Sequence, residues 1–152
     1  MEIQRFNTNQ GQLKRCFKDL LLLGDEEWPM VERYLDRGDL FVLFDEGEAK
    51  TVCVVTEEEN AVEIKNLATR TDSQKRGYGR TMIEFIVSHY RKQYSTLILG
   101  TGENEQTLRF YKNCGFEYSH RVPNFFIDHY SKPIIENGRQ LIDMIYLKMN
   151  LR

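Results

Sequence analysis

Seven residues, Gln74-Lys75-Arg76-Gly77-Tyr78-Gly79-Arg80, join a strand-like apolar run, Ala61 to Thr69, to a run with helical spacing, Gly79 to Tyr94. The junction puts two glycines, three cationic side chains and a helix N-terminus in one short loop. A polyphosphate needs that combination. Backbone N–H groups must come close to the phosphate oxygens, and glycine removes the Cβ that would block them. The first helical turn adds N–H groups with no intrahelical partner and the positive end of the dipole. The competing reading is a basic turn with a glycine cap, and a lone Gly-x-Gly does not separate the two. The flanking chain has to decide.

The 152 residues, 41% of them hydrophobic, suit a single domain spanning residues 1–152 with a sizeable core. A net charge of −2, from 21 basic and 23 acidic residues, argues against a nucleic-acid binder that relies on bulk positive charge. The longest apolar runs, such as Leu20 to Leu23, are far too short to span a membrane. The start, Met1-Glu2-Ile3-Gln4-Arg5, lacks the layout of a secretory signal. The three cysteines, Cys16, Cys53 and Cys114, form no close pair and point to neither a disulfide framework nor a zinc site. These features lead to the expectation of a cytoplasmic protein without nucleic-acid, membrane or metal partners, as a monomer or homodimer.

Local patterning gives an element order. Ile3 to Phe6 reads as a strand, and Asn7 to Asn9 offer N-caps for a helix running to about Leu23, with Gly24 as its C-terminal cap. Asp25 is expected to cap a second helix that carries Trp28, Val31, Tyr34 and Leu35 on one side and closes at Gly38. Asp39 to Phe44, Ala49 to Thr56 and Ala61 to Thr69 make a three-stranded meander. The loop follows, then a helix with the stripe Ile83, Ile86, Val87, Tyr90 and Tyr94. Thr96 to Gly100 is a strand, Asn104 to Cys114 a helix stopped by Gly115, and Phe116 to Ser119 and Leu141 to Met149 the last strands. His120 to Gln140, with two prolines and a glycine, reads as irregular. Antiparallel strands followed by a βαβ-like unit indicate one mixed sheet, α+β or α/β.

This order resembles the GNAT superfamily of N-acetyltransferases over nearly the whole chain. The family loop, Gln/Arg-x-x-Gly-x-Gly/Ala, is matched by Gln74-x-x-Gly77-x-Gly79. The family's second element is an Asn followed by a helix ending in an aromatic pair and Gly-Phe. Asn104 through Phe110-Tyr111 to Gly115-Phe116 is similar to it. Two rival glycine motifs fail: no Gly-x4-Gly-Lys-Ser/Thr string exists, and the residue three after Gly79 is Met82. The resemblance implies a central, mostly antiparallel mixed sheet of about six to seven strands flanked by helices. It also implies acetyl transfer from acetyl-CoA to an amine.

On that resemblance, the amides and side chains of Lys75, Arg76, Gly77, Tyr78, Gly79 and Arg80, with Gln74, hold the CoA pyrophosphate. Main-chain groups of Leu67, Ala68 and Thr69 hold the pantetheine arm, and Asn104 bonds that arm, caps its helix, or does both. Tyr111, seven residues after Asn104, stands at the family position of the acid that serves the departing thiolate, with a core aromatic as the alternative. Glu63, eleven residues ahead of Gln74, is spaced like the general base of the histone-acetyltransferase branch. The alternative there is an ordinary strand glutamate paired with a lysine. Strict alternation would put Glu63, Lys65 and Leu67 on one face and Val62, Ile64, Asn66 and Ala68 on the other. Phe110, Cys53 and Cys114 read as packing residues. For the acceptor the resemblance points to the early helices and the last inter-strand loop: Trp28, Tyr34, Phe126, Asp128 and Tyr130. Aromatics with carboxylates suit a cationic amine; a self-packed loop or a dimer contact is the alternative. Asp143 is the odd residue of its apolar run, set either to the cleft or to water. The resemblance leads us to expect a primary amine of a small molecule or a protein as acceptor. The rival readings are a non-catalytic CoA-binding module and a phosphate-binding regulatory domain.

Overall fold

Runs of β-branched and aromatic residues form the strands, and one computed structural model describes residues 1–152. In chain order the elements are β1 (Glu2–Phe6), α1 (Gly11–Lys14), α2 (Lys18–Gly24), α3 (Trp28–Glu32), β2 (Asp39–Asp45), β3 (Glu48–Glu57) and β4 (Val62–Thr69). Then come α4 (Tyr78–Tyr90), β5 (Thr96–Gly102), α5 (Glu105–Asn113), β6 (Glu117–Val122), α6 (Phe125–His129), β7 (Ile135–Glu136), β8 (Arg139–Gln140) and β9 (Met144–Asn150). Seven strands make one sheet in the order β1-β2-β3-β4-β5-β9-β6, and β7 and β8 pair as a separate hairpin. Only β4 and β5 run parallel. The expected mixed, mostly antiparallel sheet with flanking helices is therefore present.

Both faces of the sheet are covered, which is why its central strands read as continuous apolar runs. Phe41, Leu43, Cys53 and Val55 face the Met82, Ile83, Ile86 and Tyr90 stripe of α4. Leu40, Val42, Val52 and Val54 alternate to the other face and meet Leu21, Val31 and Leu35. Each such side chain contributes about 1.5–3 kcal/mol on full burial.

The first helix is broken where a continuous one was expected: Arg15–Phe17 is a tighter turn between α1 and α2. The second is shorter than expected. Pro29 sits in its first turn, so α3 starts at Trp28, and the cap position belongs to Glu27 rather than Asp25. Past α3 the carbonyls of Leu35 and Gly38 are served by a distant donor. The ammonium of Lys14, a fully buried side chain, donates to them at 2.8 and 2.6 Å. The segment from His120 is more ordered than its prolines suggest: β6 runs on to Val122, one helical turn follows, and the β7–β8 hairpin closes it. Asp143 neither lines the cleft nor sits free in water. It accepts from Arg121 at 2.7 Å and from the Asn124 amide at 2.9 Å, fixing the turn that starts α6.

Two irregularities shape the middle of the sheet. Opposite β4, Val54 pairs with Asn66 but Val55 pairs with Ile64, so Lys65 is an extra residue, a β-bulge. Strict alternation fails there. Ile64 and Leu67 both lie on the α4 face, while Glu63, opposite Thr56, shares the α2 face with Asn66 and Ala68. In addition, β4 and β5 pair only from Val62–Leu97 to Ile64–Leu99 and then part. No helix is long and apolar enough to cross a membrane.

Lys14→Met keeps the aliphatic stem but leaves two buried carbonyls without a donor. We expect a loss of about 2–3 kcal/mol, measured as a lower urea midpoint with an unchanged m-value.

Candidate active site

The loop after β4 is built as an anion cradle. Gly77 has φ 87°, a left-handed conformation in which a side chain would be strained, and it is the N-cap of α4. Lys75 is also left-handed, at φ 63°. None of the amides from Lys75 to Arg80 donates to another group of the chain; the first helical bond is Thr81 N–H to the Gly77 carbonyl at 3.0 Å. This run of unpaired N–H groups at a helix N-terminus is the geometry that binds phosphate. Gly79 brings the backbone close to Phe110, whose Cζ would lie 3.2 Å from an added Cβ. The cations divide. Arg76 pairs with Glu46 at 2.8 Å and lies over the Tyr78 ring, whereas Lys75 has no acidic partner and Arg80 reaches only the Asn113 carbonyl at 3.3 Å. Tyr78 is buried, with its hydroxyl on Asp45 at 2.7 Å, and so supports the loop from beneath. Gln74 donates to the Thr69 carbonyl at 3.2 Å, tying the loop to the end of β4.

A cavity of about 370 Å³ lies over this loop, lined also by Leu67, Thr69, Thr107, Phe110 and Tyr111. Phe110 is thus a wall residue as well as a packing one. A smaller cavity of about 190 Å³ fills the gap where β4 and β5 part, and it shares Leu67, Thr107 and Tyr111 with the first. Tyr111 belongs to the core, stacked edge-on to Phe110 and Phe116, yet its hydroxyl makes no hydrogen bond within the chain. Burial pushes that phenol upward. Ala68 turns its side chain to the opposite core and can offer this gap its main chain alone. Asn104 performs the capping role: its Oδ1 accepts from the Gln106 and Thr107 amides at 3.0 and 3.4 Å, and its Nδ2 donates to Glu136 at 3.0 Å.

On the other face a cleft of about 340 Å³ shares Gly24, Ile64, Lys65 and Gly100 with the gap. Glu63 lies in it, 93% buried, with the Lys65 ammonium 3.0 Å away. Tyr34, Phe126 and Tyr130 line it. Two expected acceptor residues do not. Trp28, at the start of the shortened α3, turns toward α2 and carries the Lys18 ammonium 4.8 Å from its ring centre. Asp128 is exposed on the outer side of α6, while Phe125 and Phe126 turn inward.

Sequence reasoning missed Asp25. Its two oxygens accept from Tyr34 at 3.1 Å and Tyr130 at 2.8 Å, and desolvation raises its carboxyl above the ordinary range. Asn66 extends the network, donating to the Tyr34 hydroxyl at 3.1 Å and to the Leu21 carbonyl at 2.8 Å. Its Oδ1 is buried and has no partner. A Cβ at Gly24 would collide with that amide, so the glycine is required for the close approach. Phe125, Met144 and Tyr146 complete the wall. Only the Asp25–Tyr34 spacing was within local reach of the sequence; Tyr130 and Tyr146 come from distant elements. Burial raises the thiols of Cys53 and Cys114, opposite to what a cysteine nucleophile needs.

The three cavities adjoin through shared lining residues, with backbone amides and cationic side chains at one end and carboxylates with aromatics at the other. Residues 36–118 match the model of the acetyltransferase (GNAT) domain family. The chain is 34% identical over 136 residues, 88% of each protein, to the uncharacterized N-acetyltransferase YvbK of Bacillus subtilis strain 168. It superposes with a TM-score of 0.90 and 30% identity on a GNAT family acetyltransferase from Elizabethkingia anophelis with acetyl-CoA bound, covering 98% of this chain and 97% of that one. A Bacillus subtilis acetyltransferase in complex with CoA gives a TM-score of 0.87 and 31% identity over 99% of both chains. The chain belongs to the GNAT acetyltransferase family.

Gly77→Glu places a carboxylate and a strained φ in the cradle, with no atom within 4 Å of the new Cβ to disturb the fold. Acetyl-CoA affinity should fall at least tenfold by calorimetry, with the melting temperature lowered only slightly.

Proposed function

We propose that the chain transfers the acetyl group of acetyl-CoA to a primary amine, of a small molecule or a protein, by direct attack. The observation that carries this reading is the adjacency of three cavities. Loop cavity, strand gap and acceptor cleft share lining residues in sequence, so a thioester entering from the loop side and an amine entering from the cleft meet where β4 and β5 part. The acetyl-CoA and CoA held by the similar structures support the donor assignment.

The loop amides and Lys75 and Arg80 bind the pyrophosphate; charge-assisted contacts of this kind contribute about 1.5–3 kcal/mol each. The unpaired edge of β4 from Lys65 to Thr69 offers main-chain groups to the pantetheine amides, as an added strand would. An alkylamine, with a pKa of about 10.4 in water, must lose a proton before it attacks. Glu63 is the carboxylate assigned to take that proton, directly or through water. The amine nitrogen then bonds to the thioester carbon, the C–S bond breaks, and the nitrogen's second proton ends on the CoA sulfur. Tyr111 stabilises the developing thiolate. Because burial raises its phenol, hydrogen-bond donation to sulfur is favoured over complete proton transfer.

Free-thiol release from acetyl-CoA against a panel of primary amines tests the reading. Acetyl-CoA binding with no release for any amine would sink it and leave a non-catalytic module. Tyr111→Phe should lower kcat about tenfold or more with little change in KM for acetyl-CoA, and an unchanged kcat would assign Tyr111 to packing alone. Glu63→Gln should remove the acidic limb of the pH–kcat/KM profile; a retained limb would point to another base.

A further inference from the structure

The acceptor cleft holds two carboxylates in unlike settings. Glu63 has a cation of its own, the Lys65 ammonium at 3.0 Å. Asp25 has none: it makes no ion pair within the chain and is held by the hydroxyls of Tyr34 and Tyr130, with the Glu27 backbone N–H also against it. Both hydroxyls are themselves fixed, Tyr34 by Asn66 and Tyr130 by its ring packing on Phe126 with centroids 5.4 Å apart. A half-buried carboxylate with oriented donors on each oxygen and no counter-ion is a preorganised place for a cation. The aromatic rings of Phe125, Phe126 and Tyr146 on the same wall add to that preference.

We propose that Asp25 binds the ammonium group of the acceptor, and that the cleft selects primary monoamines with an apolar arm. This rests on the amine-acetylation reading above and assigns its specificity. The remaining charges set the monoamine limit. Arg33, whose guanidinium has no acidic partner and bonds only the Met30 sulfur, and Arg37, paired with Glu58 at 3.0 Å, also line the cleft. A second ammonium further along the acceptor would meet these guanidiniums. Asp25 therefore divides the work with Glu63: one carboxylate holds the charged amine, and the other receives its proton. Desolvation, which raises the Asp25 carboxyl, is relieved when an ammonium arrives.

The test is binding without turnover. Calorimetry in the presence of CoA, which carries no acetyl group, compares phenethylamine with 2-phenylethanol, and pentylamine with pentan-1-ol and 1,5-diaminopentane. The wild-type protein should bind each amine at least tenfold tighter than its matched alcohol, and the diamine no tighter than pentylamine. In Asp25→Asn the amine–alcohol gap should collapse to within about twofold while CoA affinity stays unchanged. A gap that is absent in the wild-type protein, or that persists in Asp25→Asn, overturns the assignment. A diamine bound tenfold tighter than pentylamine overturns the monoamine limit. Thiol release in the wild-type protein is read separately, so loss of the acetylation reading and loss of the Asp25 assignment give different results.

Discussion

The parting of β4 and β5 is the constraint on which the rest of the molecule depends. The two parallel strands stay paired for only three registers, Val62–Leu97 to Ile64–Leu99. Beyond them the backbone of β4 has one partner, β3, and an open side. A sheet normally avoids such an edge because unpaired N–H and C=O groups recruit other strands. Here two local features accompany the parting. The bulge at Lys65 adds twist to β4, and on β5 the Cα of Gly100 is backed by Met144 and Tyr146, which leave no room for a side chain. The open edge is thus formed in the middle of the sheet and faces a cavity of about 190 Å³.

That opening lets the two faces carry opposite chemistry a short distance apart. One face presents unpaired amides at the N-terminus of α4; the other presents Asp25 and Glu63 among aromatic rings. The acceptor face carries a stability cost. The Asp25 carboxyl is raised in the folded state, so its contribution is fully favourable below its unfolded value and is lost as pH rises through the folded one. Two tyrosine hydroxyls reduce that cost without removing it.

The donor half was legible in the sequence because it is contiguous. Gln74 to Arg80 is one loop, and Asn104 to Phe116 is one helix with its cap and stop. Each motif's geometry follows from neighbours within a few residues. The acceptor half was not. Asp25 and Tyr34 come from the α3 region, Glu63 from β4, Tyr130 from the end of α6 and Tyr146 from β9, and no local pattern links them. Trp28 was expected in the cleft because the family resemblance points to the early helices. With Pro29 fixing a later start, the ring turns to Lys18 and Asp25 is released from capping. The bulge was equally hidden. Nothing in Glu63-Ile64-Lys65-Asn66 distinguishes a bulged strand from a regular one, since the register is set by β3 and by the packing of Ile64 and Leu67 on one core.

The segment from β6 to β9 explains how so dispersed a wall keeps its shape. It supplies Phe126 and Tyr130 but has little core of its own: between β6 and β9 the buried apolar residues are Phe126, Ile134 and Leu141. Its order comes from polar ties to the donor side. Arg121 bridges Glu103 at 3.0 Å and Asp143 at 2.7 Å, and Glu136 accepts from Asn104, the cap of α5. Ser131 is held by Glu27 at 2.8 Å, which brings the end of the segment back to α3. Exposed pairs of this kind contribute little to global stability. Their effect is positional: the helix that carries Tyr111 and the loop that carries Tyr130 share the Asn104–Glu136 contact. The helix of Tyr111 and the segment of Tyr130 are thereby referenced to the same helix cap.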